Sequence, residues 1–262
     1  MRNVSDVERI FVFVALTVIG AAWWRFATLP QEPRSMLESS VKIEVTTPAV
    51  APSLHAPSSP QAQPPEMPTP PEVSKGEQKK TGGFGSGTII GHSHYHFGDD
   101  DGVLHSIILT NEHVVKSATD VIVYWKGLRF NGRVFAKDAE LDLALIQVAV
   151  GLPKAEMFFG PMVTGEPEWV VGYPFGLDVS ISYGFVSSPT GKNVRQGSAS
   201  VWFGNSGGGT FILRHDHYVL AGVTNAIHGR PMMGGMLFAD TVEFFITMDK
   251  VKKFLADNHV MD

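Results

Sequence analysis

The 262-residue chain carries 21 Lys and Arg against 26 Asp and Glu, a net charge of −5, and no cysteine. A chain without cysteine has no disulfide scaffold, no thiolate zinc or iron–sulfur site and no cysteine nucleophile. From residue 81 onward, 13 Lys and Arg are scattered among 18 Asp and Glu, which provides no concentrated cationic surface for a nucleic-acid backbone.

The first element in chain order is the apolar run at residues 10–24 (IFVFVALTVIGAAWW), bracketed by Arg9 and Arg25. Extension to Leu29, with Arg25 reaching toward headgroups, gives the roughly 20 residues that a membrane helix needs. Trp23 and Trp24 stand where an interfacial aromatic belt would place them. A cleaved signal peptide competes with this reading, but the bulky Trp-Trp-Arg after Ala21-Ala22 makes a poor cleavage site. Residues 1–29 are therefore read as a short cytoplasmic tail and an uncleaved single-pass anchor. The rest of the chain is expected outside the cytoplasm, in a periplasmic or equivalent space.

Eleven of the 17 prolines fall within residues 30–71. Segments of that composition bury too little apolar surface to offset chain entropy. Residues 30–80 are accordingly read as a disordered tether. The alternation Ser-Val-Lys-Ile-Glu-Val at residues 40–45 is taken as chance within that tether rather than as a docked strand.

From Gly85 the pattern changes to short runs rich in Val, Ile, Phe and Tyr, cut by glycine. The candidate strands are 87–91, 106–110, 121–125, 132–136, 143–148, 169–172, 180–186, 209–213, 219–224 and 236–239. Such spacing predicts an all-β antiparallel sandwich or barrel. Apolar residues at i, i+3 and i+4 from Met248 onward predict one closing helix.

Three places in this block suggest chemistry. Gly204-Asn-Ser206-Gly-Gly-Gly209 surrounds a serine with glycines, so the backbone can turn tightly and aim several N–H groups at one point, as an oxyanion hole requires. Read alone, it is equally a hairpin turn. His113 lies just beyond an apolar strand in Leu109-Thr-Asn-Glu-His113-Val-Val115. Asp142 opens the apolar run 143–148, where a carboxylate that loses hydration needs a hydrogen-bonding partner. An imidazole N–H is one such partner.

The order His113, Asp142, Ser206 is that of the chymotrypsin-type triad. In that template His113 is the general base, Asp142 orients the imidazole and Ser206 is the nucleophile. The chain here resembles the HtrA (Deg-type) branch of trypsin-like serine proteases. The resemblance is carried by Gly85-Ser-Gly-Thr-Ile-Ile90, Thr110-Asn-Glu-His113-Val-Val, Asp142-Leu-Ala-Leu-Ile, Val171-Gly-Tyr-Pro-Phe-Gly-Leu177, Gly184-Phe-Val-Ser-Ser188 and Gly204-Asn-Ser206-Gly-Gly. It covers residues 83–255 and implies two six-stranded antiparallel β-barrels, with the triad between them, over a protease domain at 81–262. It further implies an oxyanion hole from Gly204, Asn205 and Ser206, a serine endopeptidase acting on unfolded or partly folded polypeptides, and a homotrimer. No cofactor is expected. The PDZ domain that many members carry is not expected within this chain.

Trp202-Phe203 replaces the family's Asn-Pro ahead of the nucleophile motif. Ser200, six residues before Ser206, stands where a preference for Lys or Arg would want an acid. Cleavage after apolar side chains is expected, with Ala199, Ser200, Val201, Trp202, Phe203, Val223, Thr224 and Asn225 lining the substrate pocket. A catalytically silent binding or scaffold protein of the same fold is the alternative, resting on the bulk of Trp202-Phe203. His92, His94 and His96 alternate ahead of Asp99–Asp101 in the first hairpin. A solvated loop tip is preferred there over a metal site, because the acids lack the spacing of a calcium loop.

Overall fold

The computed structural model describes residues 34–47, 81–93, 103–190, 194–225, 229–232, 235–238 and 242–260. The apolar run at 10–24, residues 48–80, and His94, His96 and Asp99–Asp101 lie outside them. Among the described residues no helix is long and apolar enough to cross a membrane.

The short β-rich runs pair into two closed antiparallel barrels of six strands each, in agreement with the predicted fold class. The first barrel holds β1 (Ser40–Thr47), β2 (Thr81–Ser93), β3 (His105–Thr110), β4 (Asp120–Trp125), β5 (Leu128–Asp138) and β6 (Leu143–Val148) in the order β1-β2-β3-β6-β5-β4. The second holds β7 (Pro167–Gly172), β8 (Ser180–Thr190), β9 (Val194–Gly197), β10 (Gly209–Arg214), β11 (His217–Thr224) and β14 (Glu243–Thr247) in the order β10-β11-β14-β9-β8-β7. Strands β12 (Gly229–Met232) and β13 (Gly235–Phe238) form a separate two-stranded ribbon. Residues 236–238 of the run expected at 236–239 therefore belong to this ribbon and not to a barrel wall. Three short helices complete the described chain: α1 (Arg34–Glu38), α2 (Glu112–Val115) and the closing α3 (Met248–Asp257).

One expectation needs correction. Residues 34–47, assigned to the disordered tether, are α1 and the strand that closes the first barrel. β1 pairs with β2 from Ser40↔Thr88 to Thr47↔Thr81 and with β4 from Lys42↔Tyr124 to Thr46↔Asp120. Alternation decides the outcome. Val41, Ile43 and Val45 turn into the barrel at 0, 0 and 7 % exposure, whereas Lys42 and Glu44 face outward and pair with each other at 3.0 Å. Met36 of α1 is fully buried as well.

Strands β3 and β6 are buried on both faces, which explains why they read as continuous apolar runs rather than alternating ones. Ile108, Ala144, Ile146 and Val148 fill the first barrel with Ile43, Ile89 and Val123. From the opposite face, Leu109, Leu143 and Leu145 pack with Val171, Phe211, Leu220 and Ile246 of the second barrel and with Val251, Phe254 and Leu255 of α3. One continuous apolar layer thus holds the two barrels together, and it brings the ends of β3 and β6 against the turn that precedes β10.

Candidate active site

His113 and Asp142 meet because their strands are neighbours. Thr110 at the end of β3 pairs with Ala144 near the start of β6, so three residues after one and two before the other share an edge. Helix α2 then lifts His113 outward. Its Nδ1 lies 2.8 Å from Asp142 Oδ2, and its backbone N–H donates to Asp142 Oδ1 at 2.9 Å. Both carboxylate oxygens are used, so the aspartate fixes the ring and its backbone together. Asn111 Nδ2 donates to the Asp142 carbonyl at 3.0 Å, and Asp142 itself sits at φ 55°. A non-glycine residue in the left-handed region stores local strain that the surrounding bonds must hold, a feature that clusters at functional sites.

Ser206 is carried to the same edge by bonds to the first barrel. Ser86 N–H donates to the Ser206 carbonyl at 2.9 Å, Ser86 Oγ donates to the Gly204 carbonyl at 2.6 Å, and Thr110 Oγ1 donates to the Ser86 carbonyl at 2.7 Å. Gly207 passes so close that a Cβ there would collide with Thr110 Oγ1 and the Ser86 carbonyl, and its φ is 83°. Gly207→Ala is therefore expected to lower stability by at least about 1–3 kcal/mol, from the left-handed backbone alone. A thermal-melting comparison measures the loss, and an unchanged melting temperature would refute the account.

The turn's hydrogen bonds determine which N–H groups remain available. The carbonyls of Trp202, Phe203 and Asn205 accept from Asn205 N (3.0 Å), Phe175 N (2.6 Å) and Gly208 N (2.9 Å), while Gly207 N donates to Thr224 O (2.9 Å). A trans peptide points its N–H opposite to its C=O. With the Phe203 and Asn205 carbonyls turned toward Phe175 and Gly208, the N–H groups of Gly204 and Ser206 face the other way. Among the described residues neither has a backbone acceptor. Asn205 departs from expectation: its N–H closes the turn on Trp202 and is not free for a ligand.

The expected pocket lining also divides. Ala199, Val201, Val223 and Thr224 are buried at 0–1 % exposure. Ala199 and Val201 pack with Val170, and Thr224 Oγ1 bonds into the barrel interior. None of these four side chains is open to solvent. Ser200, Trp202 and Phe203 point outward, and Asn225 is half-buried. Trp202 and Phe203 are 41 and 50 % exposed, and Trp202 stacks on Phe175, also exposed, with ring centroids 5.8 Å apart. They form a rim beside the serine turn rather than a plug within it. Phe84 and Phe175, which the sequence reading did not single out, extend this aromatic rim on the side of β2 and the 3-10 turn Pro174–Gly176, where Phe175 adopts φ 55°.

Among the described residues no group of three or more His, Cys, Asp or Glu could hold a metal. The ring Nε2 of His92 lies 2.7 Å from the Leu152 carbonyl, a contact that ties the hairpin to the loop after β6.

Comparison with known proteins matches the same residues. The family model described as a trypsin-like peptidase domain matches residues 85–219. The chain belongs to the trypsin-like peptidase family. The periplasmic serine endoprotease DegP of Escherichia coli K12 is 31 % identical over 164 residues, 58 % of this chain and 32 % of DegP. The magnetosome formation protease MamE of Magnetospirillum gryphiswaldense is 35 % identical over 117 residues, 38 % of this chain and 15 % of MamE. The chain thus spans a third or less of the length of these relatives. Among solved structures, the HtrA-type protease AlgW with a decapeptide superposes with a TM-score of 0.62 at 20 % identity, covering 86 % of this chain and 66 % of AlgW. The active form of the Rv3671c protease of M. tuberculosis gives 0.59 at 20 % identity, covering 85 and 81 %. These two establish the shared fold.

Proposed function

We propose that this member of the trypsin-like family is an HtrA-type serine endopeptidase, with His113 as general base, Asp142 as its orienting carboxylate and Ser206 as nucleophile. The observation that supports the proposal is the doubly bonded His113–Asp142 pair, together with a Ser206 turn tied to Ser86 of the first barrel and carrying two N–H groups without a backbone acceptor among the described residues. Ser206 Oγ attacks the scissile carbonyl and gives its proton to His113 Nε2. The Gly204 and Ser206 N–H groups receive the developing oxyanion, and His113 then protonates the leaving amine. Water repeats the sequence in reverse on the acyl-enzyme.

The substrate class is a polypeptide in extended or unfolded form, cleaved after an apolar side chain. The aromatic rim of Trp202, Phe203, Phe84 and Phe175 supports that preference, since exposed aromatic clusters gain most from covering apolar groups. The periplasmic setting named for DegP supports an extracytoplasmic location. The apolar run at residues 10–24 supports tethering to a membrane, with Arg25 and the tryptophan pair at its interface.

The test is covalent labelling of the full chain by a fluorophosphonate, together with cleavage of an unfolded protein such as casein. The wild type is expected to label and cleave. Ser206→Ala is expected to do neither while melting at the same temperature. Labelling that persists in the variant, or a wild type that never labels, overturns the assignment. The second of these outcomes is the one expected of a silent scaffold.

A further inference from the structure

Two carboxylic acids lie at the end of the second barrel beside the serine turn. Glu168 of β7 and Glu243 of β14 are both 0 % exposed. Glu168 Oε1 accepts the Ser198 N–H at 3.0 Å and the Ala199 N–H at 3.5 Å. Glu243 Oε1 accepts Thr210 Oγ1 at 2.6 Å and Thr224 Oγ1 at 3.1 Å. The remaining oxygen of each, Oε2, is buried without a hydrogen-bond partner. The two carboxyl groups lie within hydrogen-bonding reach of each other. Gly197 of β9 passes between them, where a Cβ would strike Glu168 Oε1 and Glu243 Oε2.

No basic side chain bonds to either acid among the described residues. Arg195 of β9 acts on Glu168 only through space, and its Nη1 donates to the Met162 carbonyl at 2.7 Å. Glu166, ahead of β7, is joined to Arg214 at the far end of β10. The other groups facing the pair, from β10 and β11, are the uncharged Thr210 and Thr224. Two neighbouring buried carboxylates repel strongly, and neutralising one of them is the cheapest remedy. A single proton held between the two carboxyl groups removes that repulsion.

We propose that Glu168 and Glu243 share one proton in the folded protein and act as a positioning pair, locking the 198–199 segment to the strands that hold the serine turn. Each end of the pair reaches one side of the site. Glu168 grips the backbone that leads into Ser200 and Trp202. Through Thr224, Glu243 reaches the strand end whose carbonyl accepts Gly207 N–H and whose N–H donates to Gly208 O, both at 2.9 Å. Burial raises both carboxyls above the ordinary range, Glu243 furthest, and the neighbouring negative charge of Glu168 pushes Glu243 up again. The proton belongs to the pair rather than to either residue.

The proton sharing stands on this geometry alone, whereas the positioning role rests on the peptidase reading above. Each half has its own readout in the full chain. For the first, infrared spectroscopy at neutral pH should show the carbonyl stretch of a protonated carboxyl that disappears in Glu243→Gln and in Glu168→Gln. Linkage gives a second measure. A carboxyl raised in the folded state contributes stability that is complete below its unfolded value, about 4.5, and is lost as pH rises toward the folded value. Wild-type folding equilibria should therefore fall about tenfold per pH unit relative to Glu243→Gln above pH ~4.5, as read by denaturant titration. Parallel pH curves with no protonated-carboxyl band overturn the shared proton.

For the second half, Glu243→Ala should raise KM for a peptide substrate and Glu243→Gln should restore it. The amide keeps the Thr210 and Thr224 bonds and donates to Glu168. Equal KM in all three proteins overturns the positioning role. If Glu243→Ala does not fold, the same comparison is read from Glu168→Ala and Glu168→Gln. A wild type that shows the band but never reacts with fluorophosphonate leaves the shared proton standing and refutes the peptidase reading instead.

Discussion

A chain that begins at Thr81 is expected not to fold, whereas one that begins at Arg34 should melt cooperatively. Strand β1 and helix α1 place Met36, Val41, Ile43 and Val45 in the core at 0–7 % exposure. Fully burying each such side chain contributes about 1.5–3 kcal/mol, or about 6–12 kcal/mol for the four. The net stability of a domain is only about 5–15 kcal/mol, so their loss removes most or all of it. The ladders add to the deficit. Without β1, the edges of β2 and β4 that it covers are left as open, aggregation-prone strands. Function falls with the fold, because β2 carries Ser86, whose N–H and Oγ anchor the serine turn through the Ser206 and Gly204 carbonyls. Circular dichroism during thermal melting of the two chains decides the matter. A cooperative transition in the chain from Thr81, near that of the longer one, would refute the account.

The misreading of β1 shows where local sequence stops being informative. Its alternation is visible, but its partners are not: β2 begins after the proline-rich stretch, and β4 begins more than seventy residues after β1 ends. Proline-rich surroundings then outweighed three inward apolar residues. β6 is legible at its full extent because burial on both faces leaves a continuous apolar run, and most other barrel strands are legible with their ends trimmed. β9 and β14 were missed for the opposite reason. β9 offers one apolar residue in Val-Arg-Gln-Gly, and β14 opens on a buried glutamate. Charge ordinarily marks a surface, so nothing local announces Glu168 or Glu243 as interior groups. The trio His113, Asp142 and Ser206 stood out because each sits in a motif whose order carries the meaning. The spent N–H of Asn205 and the burial of Ala199, Val201, Val223 and Thr224 depend on turn conformation and tertiary packing, which composition does not encode.

Asp142→Asn should reduce kcat for peptide cleavage by about 10^4 while leaving the melting temperature nearly unchanged. The reason lies in the two bonds that Asp142 accepts. One oxygen takes the backbone N–H of His113 at 2.9 Å and the other faces ring Nδ1 at 2.8 Å. A carboxylate accepts at both positions, so Nδ1 carries the proton and Nε2 is left as the lone pair available to Ser206. An asparagine has only one accepting oxygen. The backbone N–H cannot turn away from it, so the amide oxygen stays there and the NH2 group faces the imidazole. A donor at that position makes Nδ1 the acceptor and puts the ring proton on Nε2, directed at the serine it should deprotonate. The contacts survive and the tautomer is reversed. Fluorophosphonate labelling should slow in parallel with kcat, because it depends on the same proton transfer, whereas KM changes little. A variant that cleaves at close to the wild-type rate would show that Asp142 does not set the His113 tautomer, and the roles proposed for all three residues would fall with it.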